Sequence, residues 1–492
     1  MPETQRPNVL VLLVDQLNPR FGGWAGDPAG VTPNLDRLAA EGTVFDCAYS
    51  VGPVCMPGRC SFISGLYPHQ HGYWTNFIDE AFPARLGGFY RDVQAAGYHT
   101  AYVGKTHWFN PAWGEHTREH KGYFQAIGLD TTVDIPGTYL AAFQGSPYTD
   151  HLRSHGLLDT FLRDMALQMQ AGQYAIVPSL TPADFQPDAV AAQEAIKIIE
   201  GHTDEEPLCL TVSFPGPHPP FNAPGDYATM VDPADVVLPE TVPAELTFGG
   251  RTFTRDDVRA LRANYHGKLA LIDDWCGRIL AACERCWDMD NTLVVFTSDH
   301  GEMLGAHGRF SKCQFWEESA RIPLFVRWPS RVAAGQRTRA LAELIDVYPT
   351  VVEAVGGRVS PWCCGRSLLP VATGAATAHR EIAVSEFWSG SGDPSYMIRG
   401  ADHKYFRQGT HEHLYDLDAD PGEQRNLIES APSIAEDLRQ RLALFLNHSS
   451  GYRPLFDRAN LQADSPDLAR DLLGLFRGLH HTTGPDVAEP PE

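Results

Sequence analysis

Leu293-Val294-Val295-Phe296 is a short apolar run that gives way at once to Thr297-Ser298-Asp299-His300-Gly301-Glu302. So short a run is no helix of ordinary length, and its β-branched pair suits a strand covered on both faces. Three further runs share the design. Val9 to Val14 ends in Asp15-Gln16, His99 to Val103 in Gly104-Lys105-Thr106-His107, and Leu208 to Phe214 in Pro215-Gly216-Pro217-His218. Amphipathic stretches lie between them. Thr32-Pro33 opens one, as an N-cap followed by proline at the first helical position, and Gly42 closes it. Another runs from about Asp256 to Cys286, with Leu261, Tyr265, Leu269, Ile272, Cys276 and Ile279 stepping at helical spacing. Strands alternating with helices predict an α/β fold, a large mixed, mostly parallel sheet sandwiched by helices.

The character changes after about residue 375. Glu381 to Glu386, Ser395 to Arg399 and His403 to Arg407 read as short strands, Asp420-Pro421-Gly422-Glu423 as a turn, and a helical region begins near Pro432. The expected division is a large α/β domain over 1–375, a smaller C-terminal α+β subdomain over 376–481, and a disordered Pro- and acid-rich tail over 482–492.

The 492 residues carry 39 Lys plus Arg against 61 Asp plus Glu, a formal charge of −22, with 43% hydrophobic residues. This is the composition of an ordinary soluble globular chain, and its field repels nucleic acid and anionic lipid. An anionic ligand has to be drawn in by a local cluster of cations. No stretch approaches the ~20 apolar residues of a membrane helix. Neither a basic lead nor a small-residue cleavage site accompanies the first apolar run, so no signal peptide is expected. Ten irregularly spaced cysteines in so long a chain are no disulfide framework, and reduced thiols in the cytoplasm are the expectation.

In open α/β sheets, ligands gather outside the carboxyl ends of strands. These strands deliver Asp15, Gln16, Lys105, His107, His218, Asp299 and His300 to one such rim. Asp15 with the Asp299-His300 pair reads as a divalent-metal site, with Gln16 as a neutral oxygen ligand. Carboxylate and amide oxygens suit Ca2+, Mg2+ or Mn2+, and an imidazole nitrogen tilts the choice toward Mn2+. The competing reading is that both aspartates cap the loops that follow. Cys55 lies in Val54-Cys55-Met56-Pro57-Gly58-Arg59-Cys60. Pro57 suits the first turn of a helix, which puts Cys55 at its positive end with Arg59 one turn on, a setting for anionic chemistry. The plainer alternative is an inert core thiol.

An ordered set of motifs spans nearly the whole chain. It runs from the Pro7-Asn8-Val9 strand with Asp15, through Thr32-Pro33-Asn34-Leu35-Asp36, the Cys-x-Pro-x-Arg core at Cys55 to Arg59, Gly65-Leu66-Tyr67-Pro68 and His71-Gly72. It continues with Gly104 to His107, Pro217-His218, Thr297 to Glu302, Leu414-Tyr415-Asp416-Leu417 and Asp420 to Glu423. Together these resemble the formylglycine-dependent sulfatases of the alkaline-phosphatase superfamily.

The resemblance implies hydrolysis of sulfate monoesters, with phosphonate monoesters or phosphodiesters at the same site as the alternative. It implies that a formylglycine-generating enzyme oxidises Cys55 to formylglycine, whose aldehyde hydrates to a geminal diol. One hydroxyl then attacks sulfur or phosphorus and displaces the alcohol. The other loses its proton, and the hemiacetal collapses to eject the anion. Carried over by motif, Asp15, Gln16, Asp299, His300 and the modified Cys55 would hold one divalent ion, Ca2+ or Mn2+. Arg59 would steady the diol and His107 would be the base for collapse. Lys105 and Lys312 (in Ser311-Lys312-Cys313) would clamp the anionic oxygens, and His218 would protonate the leaving oxygen or bind the ester. Asn76, shortly after His71-Gly72, is a further expected anion contact. Gly58 departs from the usual Ser of the signature, Gln16 from a second Asp, and His300 from Asn. The Asp-Gln and Asp-His pairs are closer to phosphonate monoester hydrolases and choline-sulfatase-like enzymes.

The expected partner is a small anionic ester, without nucleic acid or membrane, and the expected assembly is a homo-oligomer. The rival class is a non-catalytic anion binder in which Cys55 stays a thiol. Lys105, His107, His218 and Lys312 argue against it, because a binder needs no proton-transfer set. Cys283-x-x-Cys286 reads as packing rather than zinc, and His411-x-His413 as a solvated turn. Trp108, Phe109 and Trp113 read equally as an aromatic wall for the substrate or as core.

Overall fold

The computed structural model describes residues 6–450 apart from 113, 204–205 and 390–392; Trp113 and the tail expected at 482–492 lie outside the described residues. Eight strands make the main sheet. They are β1 (Asn8–Asp15), β2 (Thr43–Phe45), β3 (His99–Gly104), β4 (Thr131–Asp134), β5 (Leu208–Pro217), β6 (Thr292–Ser298), β7 (Leu324–Arg327) and β8 (Gln336–Thr338). Their order in space is β8-β2-β7-β6-β1-β5-β3-β4. Only β7 runs against its neighbours; every other pairing is parallel. The register levels the carboxyl ends, with Val14 opposite Ser298, Asp15 opposite Pro217 and Gly104 opposite Ser213.

Strand β1 shows why the runs read as continuous apolar stretches. Leu10, Leu12 and Val14 pack into one core and Val9, Val11 and Leu13 into another, one on each face of the sheet. The first core holds helices α3 (Pro187–Gly201) and α4 (Arg255–Cys286); the second holds α2 (Cys55–Ser64) and α5 (Val347–Ala354). Each such side chain contributes about 1.5–3 kcal/mol when fully buried. Asp15, also 0% exposed, contributes nothing of that kind and has to be paired or coordinated. By the alternation of the strand it lies on the face that α2 covers.

Helix α4 begins in a capping box, Thr254 Oγ1 accepting from the Asp257 N–H at 3.2 Å while the Asp257 carboxylate accepts from the Thr254 N–H at 2.8 Å. Helix α1 (Pro33–Ala40) starts where expected, but Thr32 does not cap it. Its first-turn N–H groups at Asn34 and Leu35 are taken by the Asp273 carboxylate of α4, at 3.1 and 2.8 Å. Gly42 follows the helix rather than ending it. A Cβ there would stand 2.4 Å from the Val326 carbonyl, so the close approach of β7 is what requires glycine.

A second, four-stranded antiparallel sheet follows: β9 (Ala383–Phe387), β10 (Ser395–Arg399), β11 (His403–Gln408) and β12 (His411–Asp416), with α6 (Pro432–Ser450) packed on it. The expected turn at His411-x-His413 is therefore strand β12. His413 stacks on Phe406 at 4.5 Å, and this ring contact holds in the sheet a segment that looks polar. Trp108 and Phe109 are core, Trp108 lying 5.0 Å from the Tyr102 ring. Cys283 is buried and Cys286 exposed, so they share no ligand site, and all ten cysteines are free thiols. No helix among the described residues is long and apolar enough to cross a membrane.

Candidate active site

Cys55 is the first residue of α2, reached through Val54 in extended backbone. No side chain of Val54 can cap the helix, and the donors of its first turn are met otherwise. Pro57 has no N–H, Gly58 donates to the Val54 carbonyl at 3.0 Å, and the Met56 N–H donates to Asn76 Oδ1 at 2.8 Å. Asn76 thus holds the end of the nucleophile helix, and the oxygen of its side chain is committed there. Gly58 has a steric reason to differ from the usual serine. A Cβ at this position would stand 3.0 Å from the Asp299 carbonyl and 3.2 Å from that of Gly52. The Ser50 hydroxyl already donates to the Asp299 carbonyl at 2.6 Å.

The strand ends close on this thiol. Cys55 Sγ lies 3.2 Å from His300 Nε2 and 3.7 Å from Asp15 Oδ1. His300 Nε2 is 3.8 Å from Asp15 Oδ1 and 3.7 Å from Asp299 Oδ1. Arg59, one turn along α2, donates from Nε to Asp299 at 2.7 Å and from Nη1 to Ser213 Oγ at 2.8 Å, with Nη2 3.5 Å from Asp15. Lys105 pairs with Asp15. Lys312 Nζ lies 3.1 Å from Cys55 Sγ and donates to Gln16 Oε1 at 2.6 Å. The Gln16 amide donates to Glu302, and its backbone N–H donates to Asp299 at 3.0 Å. Of the expected residues, all but Asn76 meet around Cys55 or its carboxylate partners.

The electrostatics follow from packing so many charges in a dry site. Burial pushes the Cys55 thiol up, but Lys105, Lys312, His300 and a hydrogen bond with His107 hold it well below the usual thiol range. Burial likewise raises Asp15, as Cys55 does, and Lys105, His218 and Arg59 outweigh them, bringing it to about 2. His300 is raised, Asp299 and Cys55 overcoming the desolvation that opposes its charge. His107 and His218 go the other way. Burial and then Lys105 lower His107; burial and then Lys312 lower His218 to about 4. Both rings are neutral at pH 7. His218 Nδ1–H donates to the Pro219 carbonyl at 2.7 Å, which leaves Nε2 with the lone pair.

These donors suit a divalent ion. The ligand atoms of Asp15, Cys55, Asp299 and His300 all lie within 4.8 Å of one another, and all four residues are buried. His300 Nδ1 faces the Gly301 carbonyl at 2.9 Å, the second-sphere bond that turns the other nitrogen toward a metal. Comparison with known proteins agrees. The profile of the sulfatase family matches residues 7–357. The chain belongs to the sulfatase family. Residues 305–448 of this sulfatase also match the family described as N-sulphoglucosamine sulphohydrolase, C-terminal. It is similar to the choline-sulfatase of Rhizobium meliloti, 30% identical over 450 residues, covering 87% of this chain and 83% of the relative. Among solved structures it resembles the phosphonate monoester hydrolase of Agrobacterium radiobacter, with a TM-score of 0.75 and 25% identity, covering 90% of this chain and 96% of that one. An arylsulfatase of Clostridium perfringens is 26% identical over 460 residues, covering 89% of this chain and 92% of the relative. The chain is accordingly a sulfuric ester hydrolase of the alkaline-phosphatase superfamily.

Several supporting residues escaped the sequence reading. Ser213 Oγ accepts from Arg59 and donates to the Lys105 carbonyl at 2.8 Å. Glu302 accepts from the Ser311 N–H at 2.6 Å, tying the loop of Lys312 to Gln16. Lys268, buried in α4, donates to the carbonyls of His218 and Pro220 at 2.9 and 3.0 Å. A hydroxyl near the end of the apolar run of β5, one of two with Thr211, was a usable signal for Ser213; nothing local marked Lys268.

Proposed function

We propose that this sulfatase hydrolyses sulfate monoesters with a formylglycine made from Cys55 and one divalent ion, Ca2+ or Mn2+. The observation that carries the reading is the meeting of Cys55 with Asp15, Asp299, His300, Lys105 and Lys312 at one dry rim. Asp15, Asp299 and His300, with Gln16 beside them, are the residues that would hold the ion, which supplies Lewis acidity to the ester and the nucleophile. The hydrated aldehyde supplies the attacking oxygen and, on collapse, the exit for the anion.

The remaining work falls to the chain's own side chains. Arg59 binds Asp299 by a short hydrogen bond and holds the two carboxylates at a fixed separation from Cys55. Lys105 and Lys312 flank Cys55 and are the clamp for the charged oxygens of the ester, worth about 3–4 kcal/mol per donor in comparable sites. Neutral His107, hydrogen-bonded with Cys55, is ready to take a proton there. His218, beside Cys55 and Lys312, is the residue we assign to protonate the leaving oxygen or to bind the ester. Maturation requires a formylglycine-generating enzyme acting on the unfolded Cys55 segment, because Cys55 is 0% exposed once folded.

A second reading, phosphonate monoester or phosphodiester hydrolysis at the same site, is favoured by the phosphonate monoester hydrolase likeness and by Gln16 and His300 in the ligand set. Both ester classes present a tetrahedral centre with one negative charge. The test is a paired assay on protein co-expressed with a formylglycine-generating enzyme, comparing an aryl sulfate with an aryl phosphonate monoester of the same leaving group. A higher kcat/KM for the sulfate is expected. A higher value for the phosphonate reverses the assignment.

A further inference from the structure

Away from Cys55, the loop between β6 and β7 meets the C-terminal segment in a second cluster of ligating groups. His307, Glu318 and Glu423 bring Nε2 and two carboxylate oxygens within 4.8 Å of one another. His307 Nε2 stands 3.9 Å from Glu318 Oε2, outside hydrogen-bond range. His307 Nε2 and Glu318 Oε2 are each buried without a hydrogen-bond partner, whereas Glu423 Oε1 is met by Lys404. Glu318 is 3% exposed and Glu423 2%, so water does not solvate them freely.

Neighbouring cations satisfy the cluster only from one side. Lys404 reaches Glu423 Oε1 at 2.5 Å and Glu317 at 2.9 Å, and Arg321 reaches Glu317 at 3.2 Å. Arg20, 39% exposed in its side chain, stands 3.7 Å from the other oxygen of Glu318. Among the described residues the ion pairs of Glu318 are with Arg20, at its other oxygen, and with His307. Unpaired buried carboxylate oxygen is costly, and a metal ion is one of the few groups that offsets it.

We infer that His307, Glu318 and Glu423 form a second divalent-cation site, distinct from the one at Asp15 and Asp299. One imidazole nitrogen with two carboxylate oxygens suits Zn2+ or Mn2+ better than Ca2+. Its place in the fold gives it a structural purpose. His307 and Glu318 bracket the loop that carries Ser311 and Lys312, and Glu423 follows β12. An ion here pins both ends of the Lys312 loop to the C-terminal sheet.

The probe is Zn2+ alone, added to chelator-treated full-length chain and read by equilibrium dialysis with elemental analysis. The wild type should bind two equivalents and Asp299→Asn one. Adding Glu318→Gln or His307→Gln to Asp299→Asn should remove that one, with the far-ultraviolet circular dichroism unchanged. Anomalous diffraction from a Zn2+-soaked crystal reads the site without any variant. A peak about 2.0–2.2 Å from His307 Nε2 and a Glu318 oxygen is expected. Anomalous density only at the Asp15 cluster, or no Zn2+ bound by Asp299→Asn, overturns the proposal and leaves protons or water to satisfy these atoms.

Discussion

The His218 imidazole gives its Nδ1 proton to the Pro219 carbonyl, so the nitrogen left for an ester carries a lone pair. Burial and Lys312 hold its pKa at about 4, below the ordinary histidine value, so at pH 7 the free enzyme holds it neutral. It can protonate a leaving alcohol only after taking up a proton, and an anionic ester lying beside it favours that uptake. The requirement matters most for alcohols that leave badly. His218→Ala should lower kcat/KM by about 10²–10⁴ for an alkyl sulfate, and less than about tenfold for an aryl sulfate with an acidic phenol. A plot of log kcat/KM against leaving-group pKa checks this, because loss of the acid steepens it. An equal loss on both substrates would make His218 a binding residue only. The sequence exposed His218 by its position after an apolar run. Lys268, which grips its carbonyl, was hidden, because it comes from another element 50 positions on and one buried lysine has no signature in a helical pattern.

Among the elements, the strands were legible along their length and the nucleophile helix only at its start, where Pro57 places Cys55 in the first turn. Strands β1, β3, β5 and β6 are buried on both faces, so their apolar runs are unbroken and their polar ends conspicuous. Helix α2 is buried on every side, all ten residues of it, so no amphipathic stripe marks it and only Pro57 betrays its start. Its stabilisation at the N-terminus likewise comes from afar, through Asn76. Asn76→Ala should remove about 1 kcal/mol, a fall of about 2 °C in the melting midpoint. As a cap alone, the residue would leave KM for an aryl sulfate within about threefold of wild type, and a rise of about tenfold or more would restore the expected anion contact. Calorimetry and steady-state kinetics on one preparation separate the two. Helix α1 and strand β12 differ in detail from the sequence expectation because partners elsewhere complete them, Asp273 across the fold for α1 and the Phe406 ring of the neighbouring strand for β12.

Over the whole molecule, the formal charge of −22 opposes the chemistry of the site. At the rim Arg59 and Lys105 are matched by Asp15 and Asp299, and the charge left over, on Lys312 and a bound ion, is confined to the pocket. The acidic surface therefore governs the approach of a substrate, and the buried cations govern its final placement. Salt distinguishes these ranges, because the screening length falls from about 30 Å at 0.01 M to about 8 Å at 0.15 M while buried pairs are screened much less. Raising ionic strength over that interval should increase kcat/KM for a monoanionic aryl sulfate by about two- to fivefold, the sign opposite to that of an enzyme that steers its anion in. A sulfate ester whose alcohol part carries a quaternary ammonium group feels a compensating attraction, and its kcat/KM should stay level or fall. Steady-state rates for the two esters across a sodium chloride series, at fixed metal concentration, test both signs together. If the anionic ester loses rate with salt instead, the cationic pocket reaches past the acidic surface, and the surface charge has no part in selecting the substrate.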